Sequence, residues 1–283
     1  MMMRQPSFFE RHERVLLGLF MVALFLLFWE GLARGWWADL LQPLIGEASN
    51  RLRIRPIFLS SPSAVAAAAW KMFFVTGEIW PHLGISAMEV VSGLGAAIIF
   101  GIPFGLVTGR YRLLSHAAEP FMAALNATPQ VAFIPLIILW MGTGYGTRIF
   151  IIFLLCIIPI IMAAHAAVKT VDVRLLKLAA SFGASDAFLF RSIILPGAVP
   201  FLLAGLRLAV GRAMIGIVVG ELYGSAMGVG LMINRAGSTF QTDTVFVGVF
   251  TIVIAGLALT ELVRRIELKV EVWRPDAQQS FNN

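Results

Sequence analysis

The chain has 283 residues and a formal net charge of +6, and 59% of its residues are hydrophobic while only 13% are charged. Soluble proteins carry roughly 25% charged residues, so this composition excludes a soluble globular domain. The 22 Phe and 7 Trp residues exclude a disordered chain, and the sequence is therefore that of an integral membrane protein.

The basic net charge would suit a nucleic-acid-binding protein. In a membrane protein, however, basic residues usually mark the cytoplasmic loops, so we expect no nucleic acid partner. The single cysteine, Cys156, stands in an apolar run where we expect it to be buried, and the four histidines are scattered along the chain. The sequence therefore predicts no internal disulfide, no metal site and no bound cofactor.

Apolar segments of about 20 residues, the length of helix that spans a bilayer, occur six times. They are Val15–Ala33, Leu83–Thr108, Pro120–Met141, Arg148–Val168, Val199–Leu222 and Val245–Val263. Arg4, Arg11 and Arg14 precede the first segment as they would in a signal peptide, but five more spans follow, so we expect this helix to be retained. The predicted fold is an all-α integral membrane protein with six transmembrane helices.

The distribution of Lys and Arg predicts the orientation of these helices. With the N-terminus inside, the inner segments hold 13 of the 22 Lys and Arg residues and the outer segments hold 7, while Arg207 and Arg212 lie inside the fifth span. Because cytoplasmic loops carry the excess of basic residues, both termini are predicted to be cytoplasmic.

Small residues recur every four positions in two regions of the spans, a spacing that lets helix backbones approach closely in lipid. The two runs are Gly93, Ala97, Gly101, Gly105, Gly109 and Gly216, Gly220, Gly224, Gly228. Kinks are expected where proline interrupts the spans, at Pro103, Pro129, Pro135 and Pro159. On the outer side, Ser61 followed by Pro62 predicts the start of a short helix at the membrane surface.

The long inner loop between the fourth and fifth spans, residues 169–198, contains an amphipathic helix. Its polar face carries Arg174, Lys177 and Ser181, and its apolar face carries Leu175, Leu176, Leu178, Ala179 and Phe182. Gly183 is expected to end this helix and Ser185 to cap a second one, which would run to Leu195 and stop at Pro196. Two interpretations are open: the first helix rests on the membrane surface, or it binds in a groove of a cytosolic partner.

Five positions of this loop follow a spaced pattern: Ala179, Gly183, Ile193, Leu195 and Pro196. The pattern resembles the signature of permease subunits of bacterial ABC importers, which reads Glu-Ala-Ala, three residues, Gly, nine residues, Ile-x-Leu-Pro. Lys177 stands where that signature has glutamate, and Leu178 where it has its first alanine. Six segments of the chain are also similar to the sulfonate, taurine and nitrate branch of the family, and they occur in the same order. They are SSPSAV, GIPFGLVTGR, PQVAFIPLIILWMGTG, LPGAVPFLLAGLRLA, GELYGSAMGVGLMI and FQTDTVFVGV.

The resemblance implies the permease subunit of a type I ABC importer in the bacterial inner membrane. Residues 82–265 would form the permease core, which holds five of the six spans, and residues 169–198 would be its cytoplasmic coupling loop. Residues 1–81 would be an N-terminal transmembrane helix with an outer surface segment, and residues 266–283 a cytoplasmic tail. The implied partners are a second copy of the chain, two ATPase subunits, a periplasmic substrate-binding protein and membrane lipid.

Two sets of functional residues are expected: an ATPase-contact set that the resemblance implies, and a pathway set that includes Arg212 because of its charge near the membrane midplane. Contact with the ATPase is expected at Leu175, Leu178, Ala179, Phe182, Gly183, Ala184, Ser185, Ile193, Leu195 and Pro196. The pathway for a small, anionic solute and its gate are expected at Asn126, Gln130, Met141, Arg212 and Glu221. The sequence contains no G-x-x-x-x-G-K-[ST] phosphate-binding loop, so ATP with Mg²⁺ would be used by the separate ATPase subunit, and this chain is not expected to be an enzyme.

Two charged residues of the fifth span leave alternatives open. Arg212 lies close to the membrane midplane, where a charge is costly, so it is expected either to pair with Glu89 or to line the pathway and attract an anion. Glu221, near the outer end of the span, is expected to have a structural role or to take part in gating. The structural role would be to cap the next short helix or to pair with Arg148 or Arg235.

Two other classes of membrane protein also remain open. A secondary transporter would commonly show internal repeats and intramembrane ionisable groups for a coupling ion, and we find no convincing repeat. An intramembrane enzyme would need a nucleophile with a base, and His165, the histidine at a suitable depth, has no evident partner in the sequence.

Overall fold

The structure, a computed structural model, describes residues 8–46, 53–55, 57–223 and 226–270. Side chains are described from Val15 onward, except those of residues 45 and 270. Arg4, Gly224 and residues 271–283 of the predicted tail lie outside the described residues, as do the side chains of Arg11 and Arg14.

The described chain consists of α-helices joined by short connections. Their bounds are α1 Phe8–Arg34, α2 Trp36–Ile45, α3 Pro62–Trp70, α4 Ile79–Arg110, α5 Arg112–Ala127, α6 Ile134–Met141, α7 Tyr145–Lys169, α8 Val173–Ser181, α9 Asp186–Leu189, α10 Leu195–Leu222, α11 Val229–Ser238 and α12 Thr242–Val270. A π-helical turn, Lys71–Val75, follows α3, a 3-10 turn, Gln130–Phe133, precedes α6, and a second π-helical turn, Phe190–Ile194, joins α9 to α10.

Five helical segments of this part of the chain are long and apolar enough to cross a membrane, and they confirm five of the six predicted spans. The predicted third span, Pro120–Met141, is a bent pair, because Arg112–Ala127 and Gln130–Met141 meet at an angle of 84°. Thr128 precedes Pro129 and is held in an extended conformation (φ −78°, ψ 134°), so the helix ends there. The spans number six if the bent pair is counted as one.

Contacts divide the chain into two compact units, Met1–Glu78 with Ile233–Val249 and Ile79–Met232 with Phe250–Asn283. The first unit contains α1 to α3, and the second contains α4 to α10. Helices α11 and α12 contribute residues to both units.

In the first unit, α3 begins as its sequence predicts. The Ser61 side chain accepts a hydrogen bond from the amide of Ala64 at 3.3 Å, and Pro62 is the first residue of the helix. Glu30 of α1 accepts two hydrogen bonds from Ser63, from its amide at 3.0 Å and from its hydroxyl at 2.7 Å. These bonds attach the end of α1 to the start of α3.

The second unit is built around α4, α7 and α10. Gly93, Gly101 and Gly105 of α4 lie so close to α7 that a Cβ atom at any of them would come within 3.0 Å of an α7 side chain. A Cβ atom at Gly216 of α10 would likewise lie 3.0 Å from the Leu155 side chain of α7. The predicted four-residue spacing of small residues thus marks the surfaces on which these helices pack. Cys156 of α7 is fully buried, as predicted.

The prediction that Pro196 stops the helix after Ser185 is wrong. Helix α9, the π-helical turn and α10 follow one another without a break and form one candidate span, Asp186–Leu222. Pro196 lies in the first turn of α10, where a missing N–H group costs little. The preceding π-helical turn also changes the bonding pattern, so that the amide of Leu195 bonds to the carbonyl oxygen of Phe190.

Candidate coupling and translocation sites

The first helix of the coupling loop, α8, is capped at both ends. The Asp172 carboxylate accepts a hydrogen bond from the amide of Arg174 at 2.7 Å. At the other end Gly183 has φ +78°, a left-handed conformation that favours glycine. The amide of Ala184 donates to the carbonyl oxygen of Ala179 at 3.1 Å, which is the long hydrogen bond of a Schellman motif. The predicted end of the helix at Gly183 is confirmed.

The second helix of the loop is held to the rest of its unit by a cap and an ion pair. The Ser185 hydroxyl accepts a hydrogen bond from the amide of Phe188 at 3.3 Å, which confirms the predicted cap. The guanidinium of Arg110, the last residue of α4, lies 2.8 Å from the carboxylate of Asp186. These contacts orient the start of α9 relative to α4.

The apolar side chains of the coupling loop divide into a packed and an exposed set. Leu176 packs against a buried cluster that includes Ile194. Leu175, Leu178 and Phe182 are 53%, 56% and 83% exposed. The other predicted contact residues comprise three that are partly buried (Ala179, Ala184, Ile193) and four that are exposed (Gly183, Ser185, Leu195, Pro196). The exposed set forms an apolar surface of the kind that docks in a groove of another protein.

A polar cluster lies where the bent pair meets α10. The guanidinium of Arg212 donates to the side-chain oxygen of Asn126 at 3.2 Å and to that of Gln130 at 3.5 Å. Gln130 is buried, and its amide group donates to the carbonyl oxygen of Leu125 at 3.4 Å. The three polar side chains and their apolar neighbours line a cavity of about 220 Å³. Met141, predicted to belong to the same set, is the half-exposed last residue of α6 and is not part of this lining.

The expected ion pair between Arg212 and Glu89 is not formed. Glu89 of α4 is fully buried, and its Oε1 atom lies 2.6 Å from the Nε atom of Arg148 in α7. The ion pairs found among the described residues do not include Arg212. The prediction relied on depth along the helix, and depth does not determine which neighbouring helix a side chain faces.

Glu221 has the capping role that was one of its two predicted roles. Its side chain is fully buried, and one carboxylate oxygen accepts a hydrogen bond from the amide of Gly230 at the start of α11. The other oxygen accepts one from the hydroxyl of Ser86, which in turn accepts one from the amide of Val229 at 3.0 Å. The carboxylate therefore anchors the turn between α10 and α11 and has no access to solvent.

The side chains of α4 that contact the Glu221 carboxylate and the turn it anchors, Ser86 and His82, were missed in the sequence. His82 Nδ1 lies 3.0 Å from the amide nitrogen of Gly228, and the amide of the next residue, Val229, donates to Ser86. His82, Ser86 and Glu89 are spaced i, i+4 and i+7, which places three polar residues on one face of an apolar span. That spacing is the signal that points to them.

His165 has neighbours that the sequence did not reveal. Its Nδ1 atom lies 3.2 Å from the hydroxyl oxygen of Thr108, and its Nε2 atom lies 3.5 Å from a carboxylate oxygen of Glu119, which also pairs with Lys169. The Thr108 side chain is buried, and its hydroxyl donates to the carbonyl oxygen of Gly105 at 3.0 Å. The single proton of this hydroxyl is donated to a carbonyl oxygen and not to His165, so the bond from nucleophile to base that an enzyme of this kind needs is not formed here, which argues against the enzyme alternative.

Comparisons of the sequence with known proteins identify a family and several relatives. Residues 101–272 match a protein family described as binding-protein-dependent transport system inner membrane component. The taurine transport system permease protein TauC of Escherichia coli (strain K12) is 32% identical over 229 residues, which cover 80% of this chain and 83% of TauC. The putative aliphatic sulfonates transport permease protein SsuC of Bacillus subtilis (strain 168) is 30% identical over 246 residues, or 85% of this chain and 88% of SsuC.

The riboflavin transport system permease protein RibX of Chloroflexus aurantiacus is also similar, with 30% identity over 215 residues, which cover 76% of this chain and 80% of RibX. The matched family region begins within α4 and includes the coupling loop, the bent pair and α10. The region extends over more than half of the chain, and TauC and SsuC match 80% and 85% of the chain. The chain therefore belongs to the family of binding-protein-dependent transport system inner membrane components.

Proposed function

We propose that the chain is the transmembrane permease subunit of an ATP-driven ABC importer in the bacterial inner membrane. In this proposal two copies form the translocation pathway, two ATPase subunits bind them in the cytoplasm, and a periplasmic binding protein delivers the solute. Membership of the family, and relatives named as taurine and aliphatic sulfonate permeases, support this assembly. ATP is hydrolysed by the partner subunits, and this chain supplies a gated conduit.

The exposed apolar surface of α8 is the observation that carries the proposal. Phe182 is 83% exposed beside a turn whose conformation is set by Gly183. Burying a side chain of this size contributes about 1.5–3 kcal/mol, so a partner with an apolar groove gains affinity by covering it. We assign this surface to the ATPase, and residues 169–198 to the coupling loop that it binds.

The packing of the loop supports a mechanical role. Leu176 is packed on the helix bundle, and Asp186 is paired with Arg110, so the loop is attached to its unit at two points. A displacement of the loop by the ATPase is therefore transmitted to α4 and to α10, which continues directly from α9. Closure of the two ATPase subunits on ATP would rock the helices as rigid bodies and open the pathway outward.

Orientation and domain limits complete the proposal. The excess of Lys and Arg places the coupling loop and both termini in the cytoplasm. Residues 82–265 form the permease core, residues 1–81 the N-terminal span with an outer segment, and residues 266–283 the tail. The described part of that tail, residues 266–270, continues α12.

Co-purification with the ATPase subunit tests the proposal. Phe182→Glu places a charge in the exposed apolar surface and is expected to reduce the co-purified ATPase by about tenfold or more. Lys177→Glu introduces a glutamate on α8, with an even larger change of charge, and restores the glutamate of the family signature, so it is expected to keep the ATPase bound. Both variants are checked for membrane insertion and for an unchanged elution volume.

Two results would count against the assignment. The first is ATPase that stays bound to Phe182→Glu in a folded permease. The second is equal loss of the ATPase in both variants, which would mean that added negative charge, and not the apolar surface, decides binding.

A further inference from the structure

We propose that Arg212, Asn126 and Gln130 form an oxyanion-binding subsite on the translocation pathway, which takes a small sulfonate, sulfate or carboxylate. The proposal rests on the permease function proposed above and adds the chemical class of the solute. Relatives named for sulfonates, taurine among them, and a relative named for riboflavin differ in that class, so the assignment depends on the side chains of this chain.

The cluster holds a full positive charge with neutral acceptors. A guanidinium has five N–H donors, and the bonds to Asn126 and Gln130, at 3.2 and 3.5 Å, occupy two of them. Both partners are uncharged amides, so these contacts orient the guanidinium of Arg212 without neutralising its charge. N–H groups in a fixed fork then remain for the two oxygens of an oxyanion.

Two other arginines of these helices, Arg148 and Arg207, show the contrast. Arg148 lies 2.6 Å from Glu89, and Arg207 pairs with Glu267. A charged side chain within a membrane span is costly to insert, and one that lacks a carboxylate partner typically marks a solute or ion pathway. Among the ion pairs of the described residues none includes Arg212, whose side chain is bonded to two amides instead.

The cavity around the cluster suits a small amphipathic anion. Its volume of about 220 Å³ equals that of about seven water molecules. Arg212, the two amides and Thr128 form its polar side, and Val131, Leu155 and Ile215 are among its apolar lining. The oxyanion group would bind the guanidinium while a short apolar tail contacts the aliphatic side chains.

The position of the cluster at the bend suggests how the solute is released. Asn126 lies in the last turn of α5 before the 84° bend, Gln130 begins the next helical turn after it, and Arg212 belongs to a third helix. A change in the bend angle would therefore separate the two amides from the guanidinium and weaken the site.

The test measures charge selectivity in the cavity with a cysteine probe. Ile215 lines the cavity and is 53% exposed, whereas the native Cys156 is fully buried, so Ile215→Cys supplies the reactive thiol. Two reagents of similar size are compared, the anionic 2-sulfonatoethyl and the cationic 2-(trimethylammonio)ethyl methanethiosulfonate. Each transfers its thioalkyl group to the cysteine thiolate and releases methanesulfinate. Rates are measured by intact mass on the permease–ATPase complex in lipid nanodiscs.

Arg212→Met is expected to lower the ratio of anionic to cationic labelling rates about tenfold, because the cavity loses the charge that concentrates anions. Arg212→Lys keeps the charge and is expected to keep most of the ratio. Arg265→Met is the matched control: it removes one exposed arginine from α12 and leaves Glu261 paired with Arg264, so the ratio stays within about twofold.

A protection measurement needs no change at Arg212. Methanesulfonate is expected to slow labelling of Ile215→Cys by the anionic reagent at least twofold relative to sodium chloride of equal ionic strength. Three results would each overturn the proposal. They are a ratio of anionic to cationic labelling rates that is the same with Met as with Arg at position 212, a cavity that neither reagent reaches, and the absence of protection by methanesulfonate. If the ATPase is still bound to the labelled complex, the proposed permease function holds even where the labelling overturns the subsite.

Discussion

Glu89 and Arg148 form an ion pair that has almost no contact with solvent, since their side chains are 0% and 10% exposed. Removing one partner of a buried pair strands the other charge and typically costs about 3–5 kcal/mol. Arg148→Met is therefore expected to lower the free energy of unfolding by that amount. Adding Glu89→Gln removes the stranded charge, and the double variant is expected to regain at least half of the loss.

Thermal unfolding of the purified chain in detergent measures both variants. Arg235→Met, which removes an exposed arginine of α11, serves as the control for loss of one positive charge. A double variant that is no more stable than Arg148→Met alone would show that the pair is not an energetic unit.

The same residues show how far the sequence can be interpreted at this scale. It indicated that Arg212 needs a partner or a pathway, because hydropathy and position along the helix reveal a charge near the midplane. It gave Glu89 as one of two alternatives for Arg212, and that alternative is wrong because the partner of Glu89 is Arg148, a choice that depends on how α4 packs against α7. Capping was among the roles it left open for Glu221, but Ser86 contacts this carboxylate only through the fold.

At the scale of elements, the packing of α4 on α7 depends on glycine. A Cβ atom at Gly105 would lie 2.5 Å from both the Cβ atom of Ala164 and the backbone oxygen of Ile161, and the backbone cannot move aside cheaply. Gly105→Ala is therefore expected to destabilise the chain by about 1–3 kcal/mol. Gly95→Ala is the matched control on the same helix, since a Cβ atom there has no neighbour within 4 Å.

The control is expected to be neutral or stabilising by up to about 1 kcal/mol, because alanine favours helix over glycine. Unfolding midpoints of the two variants in detergent provide the comparison. Equal midpoints would mean that α4 and α7 do not pack through this glycine face.

The sequence does not determine which of its prolines ends a helix. Pro103 and Pro159 lie inside continuous helices, α4 and α7, whereas the helix ends before Pro129. Hydropathy found all three regions, because apolar length is local information. The outcome at each proline depends on whether neighbouring helices hold the kinked segment together, which is tertiary information. Pro196 is a further example, since a π-helical turn carries the helix into it.

At the scale of the whole molecule, composition left three classes of membrane protein open. The buried Thr108 hydroxyl beside His165 argues against an enzyme. Membership of the binding-protein-dependent family separates the importer from a secondary transporter. In the sequence, the signature in residues 169–198 was the strongest indication of the class of membrane protein. Its capped helix, its left-handed glycine and its second cap depend on neighbouring residues along the chain, so the sequence alone predicts them.

The source of energy for transport tests the central claim most directly. Permease and ATPase subunits are reconstituted in liposomes, with the binding protein outside and, as solute, the compound that raises that protein's unfolding temperature most in a panel of small anions. We predict accumulation of the solute that requires ATP and Mg²⁺ inside the liposomes and continues when proton and sodium gradients are collapsed. Accumulation that proceeds without ATP and stops when an ion gradient is collapsed would contradict the account.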